Sequence, residues 1–160
     1  MARRLAALGS MLATGLVALT GCGYGVSAGL RLRGGVERAE VRPFENLSTD
    51  PSVGVEVTRA LREGLARRGA GGDSGPGLID GQVRTDTVAP SFGTGATQRV
   101  ALLVTARLSV GGALVLERQV RREADYLTGA DALEGEARRA QALRRLADQA
   151  ARDVLSSFEE

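Results

Sequence analysis

The sequence contains no histidine, no lysine and no tryptophan, and Cys22 is its single cysteine. Without histidine or lysine the chain can form no Ser-His pair, no Schiff base and no phosphate-loop lysine contact. Metal motifs of the CxxC and HExxH types are excluded for the same reason. We therefore expect a protein that is not an enzyme and that holds neither a metal ion nor another cofactor.

Carboxylate pairs are the remaining route to acid-base catalysis. Asp80 with Asp86, and Glu123 with Asp125, could share such work in principle. Carboxylates on one face of a strand are more often solvated, so we interpret these four as surface charges. A tight hydrolase pocket in the structure would favour the catalytic interpretation instead.

The single cysteine directly follows an uncharged apolar segment. Arg3 and Arg4 come first, no charge occurs from Leu5 to Leu19, and the segment ends in Leu19-Thr20-Gly21-Cys22. This order is typical of a secretory signal, and its last four residues fit the bacterial lipobox, in which the cysteine thiol is lipidated. Residues 1–21 are therefore predicted to be a lipoprotein signal peptide, and Cys22 the lipidated N-terminus of the mature chain.

A transmembrane anchor is the alternative for this segment. Its apolar part is about 15 residues long, which is shorter than the roughly 20 residues that span a bilayer. Gly23 follows the cysteine in place of an aspartate, which favours sorting to the outer membrane.

Charge and aromatic content argue against nucleic-acid binding. Removal of residues 1–21 leaves 19 basic and 19 acidic side chains, so the mature chain of 139 residues is formally neutral. The aromatic side chains are too few to form a base-stacking surface; they are Tyr24, Phe44, Phe92, Tyr126 and Phe158. A chain of this length suits one domain, and without a disulfide its stability depends on the core alone.

The N-terminal part of the mature chain is predicted to contain a tether and a strand. Residues 22–35 are rich in glycine and are interpreted as a lipidated tether, followed by one domain over residues 36–160. Residues 36–44 read as the first strand, with Pro43 at its end or at a sheet edge.

The first helix is predicted over residues 51–68. Asp50 is the expected N-cap, Pro51 the first helical residue and Gly69 the C-terminal cap. Its apolar face has helical spacing and comprises Val53, Val57, Ala60, Leu61, Gly64 and Leu65.

Three strands and a second helix follow the loop at residues 70–76. Alternation of apolar residues predicts strands at 77–89, 98–110 and 113–127, and Gly111-Gly112 predicts a hairpin between the last two. The second helix covers residues 131–158 and begins with a capping box of Asp131 and Glu134. Its predicted apolar sector contains Leu133, Ala137, Ala140, Leu143, Ala147, Ala150, Val154 and Phe158. Its opposite sector is interpreted as a solvated face with the pairs Glu134–Arg138 and Asp148–Arg152.

Since each helix has one apolar face, the predicted fold class is α/β (α+β). It is a two-layer sandwich, in which a four-stranded mixed sheet carries two helices on one face. The other face of the sheet must meet water or a partner.

The mature chain begins Cys22-Gly23-Tyr24, continues with Arg33-Gly34 and reads VRPFENLS from Val41 to Ser48. Together with the helix, three strands and final helix that follow, these motifs resemble the lipopolysaccharide-assembly lipoprotein family, LptE. The resemblance implies an outer-membrane lipoprotein of the inner leaflet that lies as a plug inside the large β-barrel protein LptD. It implies that the plug helps the barrel to assemble and assists the passage of lipopolysaccharide to the cell surface. Because the chain has no lysine, contacts to lipid A phosphates would come from arginine.

Phe92, in the loop from Ala89 to Gln98, and Arg99, which directly follows this loop, are the candidate lipid or partner contacts. Phe92 either folds back onto the core or contacts the barrel wall or passing lipid. In the second case the Arg99 guanidinium could bind a phosphate through two hydrogen bonds.

A different functional class remains open. A Pro-Phe-x-Asn segment after a strand also occurs in outer-membrane lipoproteins that activate a peptidoglycan synthase or serve curli-type secretion. The short tether and the small size of the chain favour the LptE-like interpretation.

Overall fold

The computed structural model describes residues 30–72, 74–88, 97–128 and 131–160. Its elements follow the predicted order, and the helices and the three long strands lie within two residues of the predicted bounds. They are β1 (Ala39–Val41), β2 (Glu45–Asn46), α1 (Val53–Arg67), β3 (Gly77–Val88), β4 (Thr97–Val110), β5 (Ala113–Leu127) and α2 (Ala132–Phe158).

The sheet is mixed, as predicted, but it has five strands among the described residues. The expected first strand, at residues 36–44, is shorter than predicted, and β2 lies just beyond its predicted end. β3, β4 and β5 form an antiparallel meander. β1 and β2 both pair in parallel with β3, β1 at Gly77–Ile79 and β2 at Gln82–Val83. Pro43 lies between β1 and β2 and has no backbone N–H to donate, which accounts for the interruption.

One face of the sheet packs against both helices and forms the core. The alternation of β4 is confirmed, since its side chains on this face are fully buried from Val100 to Leu108. The predicted apolar face of α1 is also buried along its whole length. The two-layer α+β class is therefore confirmed, with the hydrophobic core between one face of the sheet and the helices.

The connection between β4 and β5 is the predicted glycine hairpin. Gly111 has a φ of +58° and Gly112 a φ of +84°, as both central residues of a type I′ turn require. The two strands are antiparallel neighbours along their full length, so this prediction is confirmed.

The predicted N-cap of α1 is wrong, whereas the C-terminal glycine is confirmed. The helix begins at Val53 with Ser52 in the cap position and without a side-chain cap hydrogen bond. The Asp50 carboxylate instead binds Arg139 of α2, an interaction between distant residues that no local pattern contains. Gly69 follows the helix with a φ of +69°.

The second helix begins as predicted, but its first turns lie outside the core. The Asp131 carboxylate accepts a hydrogen bond from the Glu134 amide at 2.8 Å, and Glu134 pairs with Arg138. Leu133, however, is 83% exposed, and Ala137 is exposed as well. The predicted apolar sector is therefore too long at its N-terminal end.

The first turns of α2 extend beyond the core because the two helices differ in length. Arg59 lies beside Asp148 and Arg68 beside Glu159, so the helices run parallel and end together. α2 has 27 residues and α1 only 15, which leaves about 18 Å of α2 without a helical neighbour in the described part of the chain.

Residues 30–35 pack against the domain, although the sequence assigns them to the tether. Leu32 is fully buried, and its amide donates to the Val36 carbonyl at 2.7 Å. The Arg33 amide donates to the Phe158 carbonyl, also at 2.7 Å. The glycines of this segment indicate flexibility, but the alternating leucines provide apolar area that the core accommodates. Within the part of the chain that the structure describes, no helix is long and apolar enough to cross a membrane.

We predict that Leu143→Asp lowers the free energy of unfolding by about 3 kcal/mol or more, since it places a charge in the core. Leu143 is 5% exposed. The matched variant Arg145→Ala, at an exposed position of the same helix, should change it by less than about 0.5 kcal/mol. Urea denaturation followed by circular dichroism measures both, and equal losses would contradict the orientation of α2.

Candidate functional site

A cleft with a volume of about 390 Å³ lies between β1 and α1. Glu40 and Arg62 are the ionisable residues that line it. The Arg62 guanidinium donates two hydrogen bonds to the Val41 carbonyl, at 3.1 and 2.8 Å, and so closes part of the edge of β1. Among the described residues no group of three metal-binding side chains occurs. The candidate functional features described next are the outer face of the sheet and a polar cluster between the sheet and the helices.

The face of the sheet opposite the helices, called the open face below, is polar and dense in charge. Three strands contribute to it, with the β3 and β5 residues aligned on β4 by the antiparallel register. Its polar and charged members are Asp80, Gln82, Arg84, Asp86, Arg99, Thr105, Arg107, Glu117, Gln119, Arg121, Glu123 and Asp125. All four carboxylates that the sequence offered for acid-base catalysis lie here.

Each of these four carboxylates is paired with an arginine. Asp80 lies 2.8 Å from Arg107, and Glu123 lies 2.9 Å from Arg121. Arg121 also approaches Asp86 at 3.7 Å. The members of these pairs are between 28% and 50% exposed, so each pair contributes at most about 1 kcal/mol to stability. Charges held this weakly can exchange partners when another polar surface approaches.

Arg99 lies at the end of the open face where β4 begins. Its Nε donates to Oδ1 of Asp125 at 2.6 Å and its Nη2 to Oδ2 at 3.1 Å. The hydrogen bond raises the pKa of Arg99 and lowers the pKa of the Asp125 carboxyl below its ordinary value. A phosphate would therefore have to displace Asp125 from the guanidinium. Phe92 and Cys22 lie outside the described residues.

A second polar group connects the helix layer to the sheet, and the sequence analysis missed it. We call it the Asp50 cluster; it consists of Asp50, Thr85 and Arg139. Arg139 donates to both oxygens of the Asp50 carboxylate, one of them at 2.8 Å, and the Thr85 hydroxyl donates to the same carboxylate at 2.9 Å. Asp50 and Arg139 are only 13% and 17% exposed, so solvent screens this pair far less than those of the open face.

The segment before Asp50 is held by its own hydrogen bonds. The Phe44 amide donates to the Thr58 hydroxyl at 3.0 Å. The Asn46 side chain accepts from the Ser48 amide at 3.0 Å and donates to the Asp50 carbonyl at 2.7 Å. These contacts give a structural reason for the Phe-x-Asn part of the motif, whose aromatic ring is buried and whose amide forms the turn.

We predict a coupling energy of about 1 to 3 kcal/mol between Asp50 and Arg139 in a double-mutant cycle with alanine. Removal of one partner leaves the other charge poorly solvated, so each single variant should lose most of that energy. Unfolding of the four proteins in urea gives the value. The matched cycle on the exposed pair Arg122–Asp153 should yield less than about 1 kcal/mol, and an equal result for the two pairs would contradict the structure.

We predict that Arg99→Gln raises the pKa of Asp125 toward that of an ordinary aspartate. Because the folded-state pKa is depressed, the ionised carboxylate favours folding above the ordinary aspartate pKa, and this contribution is lost as pH falls through the folded value. Carboxyl carbon NMR measures the titration. Arg107→Gln, on the same face but paired with Asp80, is the control, and an unchanged Asp125 titration in Arg99→Gln would contradict the assigned hydrogen bond.

Comparison with known proteins adds to these observations. A search of curated proteins finds no match. The rare lipoprotein B of Shewanella oneidensis is 18% identical with a TM-score of 0.55, over 71% of this chain and 91% of that one. A minor lipoprotein of Acinetobacter baumannii is 11% identical with a TM-score of 0.55, over 76% of this chain and 90% of that one. At such identities these structures show a common fold.

A family model described as LptE, lipopolysaccharide-assembly, matches residues 36–158. The match begins just before β1 and ends with the last residue of α2. It includes both helices, all five strands, the open face and the Asp50 cluster. Because it covers most of the sequence, the chain belongs to the LptE family of lipopolysaccharide-assembly proteins.

Proposed function

We propose that this protein is a lipoprotein of the outer membrane, held at the periplasmic leaflet by lipid on Cys22, and that it plugs the barrel of LptD. In that position it helps the barrel to assemble and assists the passage of lipopolysaccharide to the cell surface. Membership of the LptE family and the lipobox that ends at Cys22 support the role and the anchor.

The proposal that the domain is a plug rests on the polarity of its two outer surfaces, the open face of the sheet and the outer side of α2. The interior of a transmembrane β-barrel is polar, whereas its lipid-facing side carries an apolar band. The open face presents paired charges to its surroundings, and the outer side of α2 presents the exposed residues Arg144, Arg145 and Arg152. A domain with this surface suits a barrel lumen, and its weak ion pairs can be replaced by pairs with the barrel wall.

We propose a role without catalysis. The chain lacks histidine and lysine, and the carboxylates that could have acted as acid and base each face an arginine on the open face. The hydrogen bond from Arg99 lowers the pKa of the Asp125 carboxyl, so this group favours its charged form and is a poor general acid.

The proposed contact region is the end of the sheet where β3 ends and β4 begins. Arg99 lies there, and Leu127, the last residue of β5, and Leu133, in the first turn of α2, are 55% and 83% exposed. Apolar and cationic groups together suit lipid A, whose acyl chains and phosphates need both kinds of contact. Phe92 belongs to the connection between the same two strands and is included in this proposal.

We predict that the protein, purified from its native membrane in mild detergent, brings down a large β-barrel protein at a 1:1 ratio. Mass spectrometry of the same sample should show a thioether-linked lipid on Cys22 and cleavage after Gly21. Recovery of a penicillin-binding protein instead of a barrel would support the synthase-activator alternative. An unmodified Cys22 would remove the anchor from the proposal.

A photo-crosslinking residue in living cells tests the contact region within the same proposal. Position 92 should trap the barrel protein or lipopolysaccharide, whereas the matched position Arg152, exposed on α2 and directed to the barrel wall in the proposed plug, should trap less lipopolysaccharide. If the complex is intact and position 92 traps neither, the contact region is wrong while the plug itself stands.

A further inference from the structure

The β4–β5 hairpin ends in an exposed apolar tip that the proposed function does not use. The hairpin tip is defined as residues 108–116, a stretch without a single charge that is followed directly by Glu117 and Arg118. Within it, Leu114 is 59% exposed and Val115 is 38% exposed. A β-carbon added at Gly111 or Gly112 would meet no atom within 4 Å, so the turn projects away from the domain.

The N-terminal segment reaches the domain beside this tip. Gly34 lies so close that an added β-carbon would be 3.4 Å from Val110 and 3.5 Å from Val115. The Arg31 carbonyl accepts from the Glu160 amide at 3.1 Å, which places the start of the described chain at the same end as the C-terminus of α2.

Covalent geometry limits how far this end can be from the lipid anchor. Eight residue steps separate Cys22 from Leu30, and a chain of that length spans at most about 28 Å. β4, with 14 residues, places the opposite end of the sheet about 45 Å further along. An anchor at Cys22 therefore keeps the hairpin tip, and not the Arg99 end, near the bilayer.

We propose that, before the domain enters the barrel, the hairpin tip is a membrane-docking site, which inserts Leu114 and Val115 into the interface of the lipid leaflet that holds the anchor. The inference rests on the proposed lipidation of Cys22. Transfer of exposed apolar side chains from water into the interface favours this contact. The charge-free stretch ends where Glu117 and Arg118 begin, so the depth of insertion is limited to the tip. Docking orients the domain, with the contact region around Arg99 directed away from the anchoring leaflet.

The chain provides a direct test, because its single native cysteine is the one that carries the lipid. A cysteine introduced as Leu114→Cys is then the only free thiol and can be labelled with an environment-sensitive fluorophore. The lipidated protein is reconstituted into vesicles of phosphatidylethanolamine and phosphatidylglycerol that contain a spin-labelled quencher lipid. The label at position 114 should shift to shorter wavelength and be quenched several-fold more strongly than controls at Val55→Cys and Leu127→Cys, which replace exposed apolar residues elsewhere.

Two outcomes of this experiment distinguish a failure of the docking site from a failure of the proposed function, and a further variant tests the docking site directly. If the protein does not float with the vesicles, the anchor is absent and both proposals are overturned. If it floats and the label at position 114 is quenched no more than that at position 55, the docking site alone is overturned. The double variant Leu114→Asp, Val115→Asp, labelled at Ala113→Cys, should still float and keep its helical circular dichroism but lose the quenching seen at position 113 without the aspartates.

Discussion

The close approach of α1 to α2 at Gly64 determines how the helix layer lies on the sheet. A β-carbon at this position would lie 2.6 Å from Cδ1 of Leu155, so the Leu155 side chain would have to move to admit a larger residue. Because small residues let the two helices pack closely, both can cover the same face of the sheet and exclude water from the core. The helices run parallel, which brings Arg139 of α2 to the carboxylate of Asp50, in the segment before α1.

This one-sided arrangement leaves the two faces of the sheet with different physical roles. The helix face supplies the hydrophobic stability of the domain, and the open face supplies charged groups that are only weakly committed to one another. The charged side chains of the open face also cover small residues beneath them. Ala101 is on this face and only 1% exposed. In the register its neighbours are Asp86 and Glu123, and these longer side chains stand on either side of the alanine. The open face thus stays closed to water at its base while it remains adaptable at its surface.

The two ends of the sheet differ as well, and the difference follows from the connections. One end carries the tight glycine hairpin, the start of the described chain and the end of α2. The other end carries Arg99, Leu127 and the overhanging first turns of α2. In the proposed assembly the first end is near the anchoring leaflet and the second is available to the barrel and to lipopolysaccharide. The direction of the domain is then a consequence of where its N-terminal segment packs.

The sequence by itself determined the features that depend on neighbouring residues. The alternation in β4, the turn at Gly111-Gly112, the glycine after α1 and the capping box at Asp131 are local, because each is decided by backbone geometry within a few residues. The two-layer class could be predicted for the same reason, since each helix shows its apolar face in its own periodicity. The sequence suggested Arg99 as a candidate contact residue. It did not indicate that the guanidinium of Arg99 donates to the carboxylate of Asp125.

Tertiary structure alone decided which distant groups meet. Asp50 has the sequence context of an N-cap, yet a buried guanidinium 89 positions away outweighs a cap on an exposed helix end, because a charge pair shielded from solvent is stronger. Leu133 fits the apolar period of α2 but is 83% exposed, since α1 is too short to reach it. Arg99 and Asp125 face each other only through the register of β4 and β5. Periodicity indicates which side of an element is apolar, whereas the extent and partners of that side depend on the lengths and alignment of elements that lie far apart in the chain.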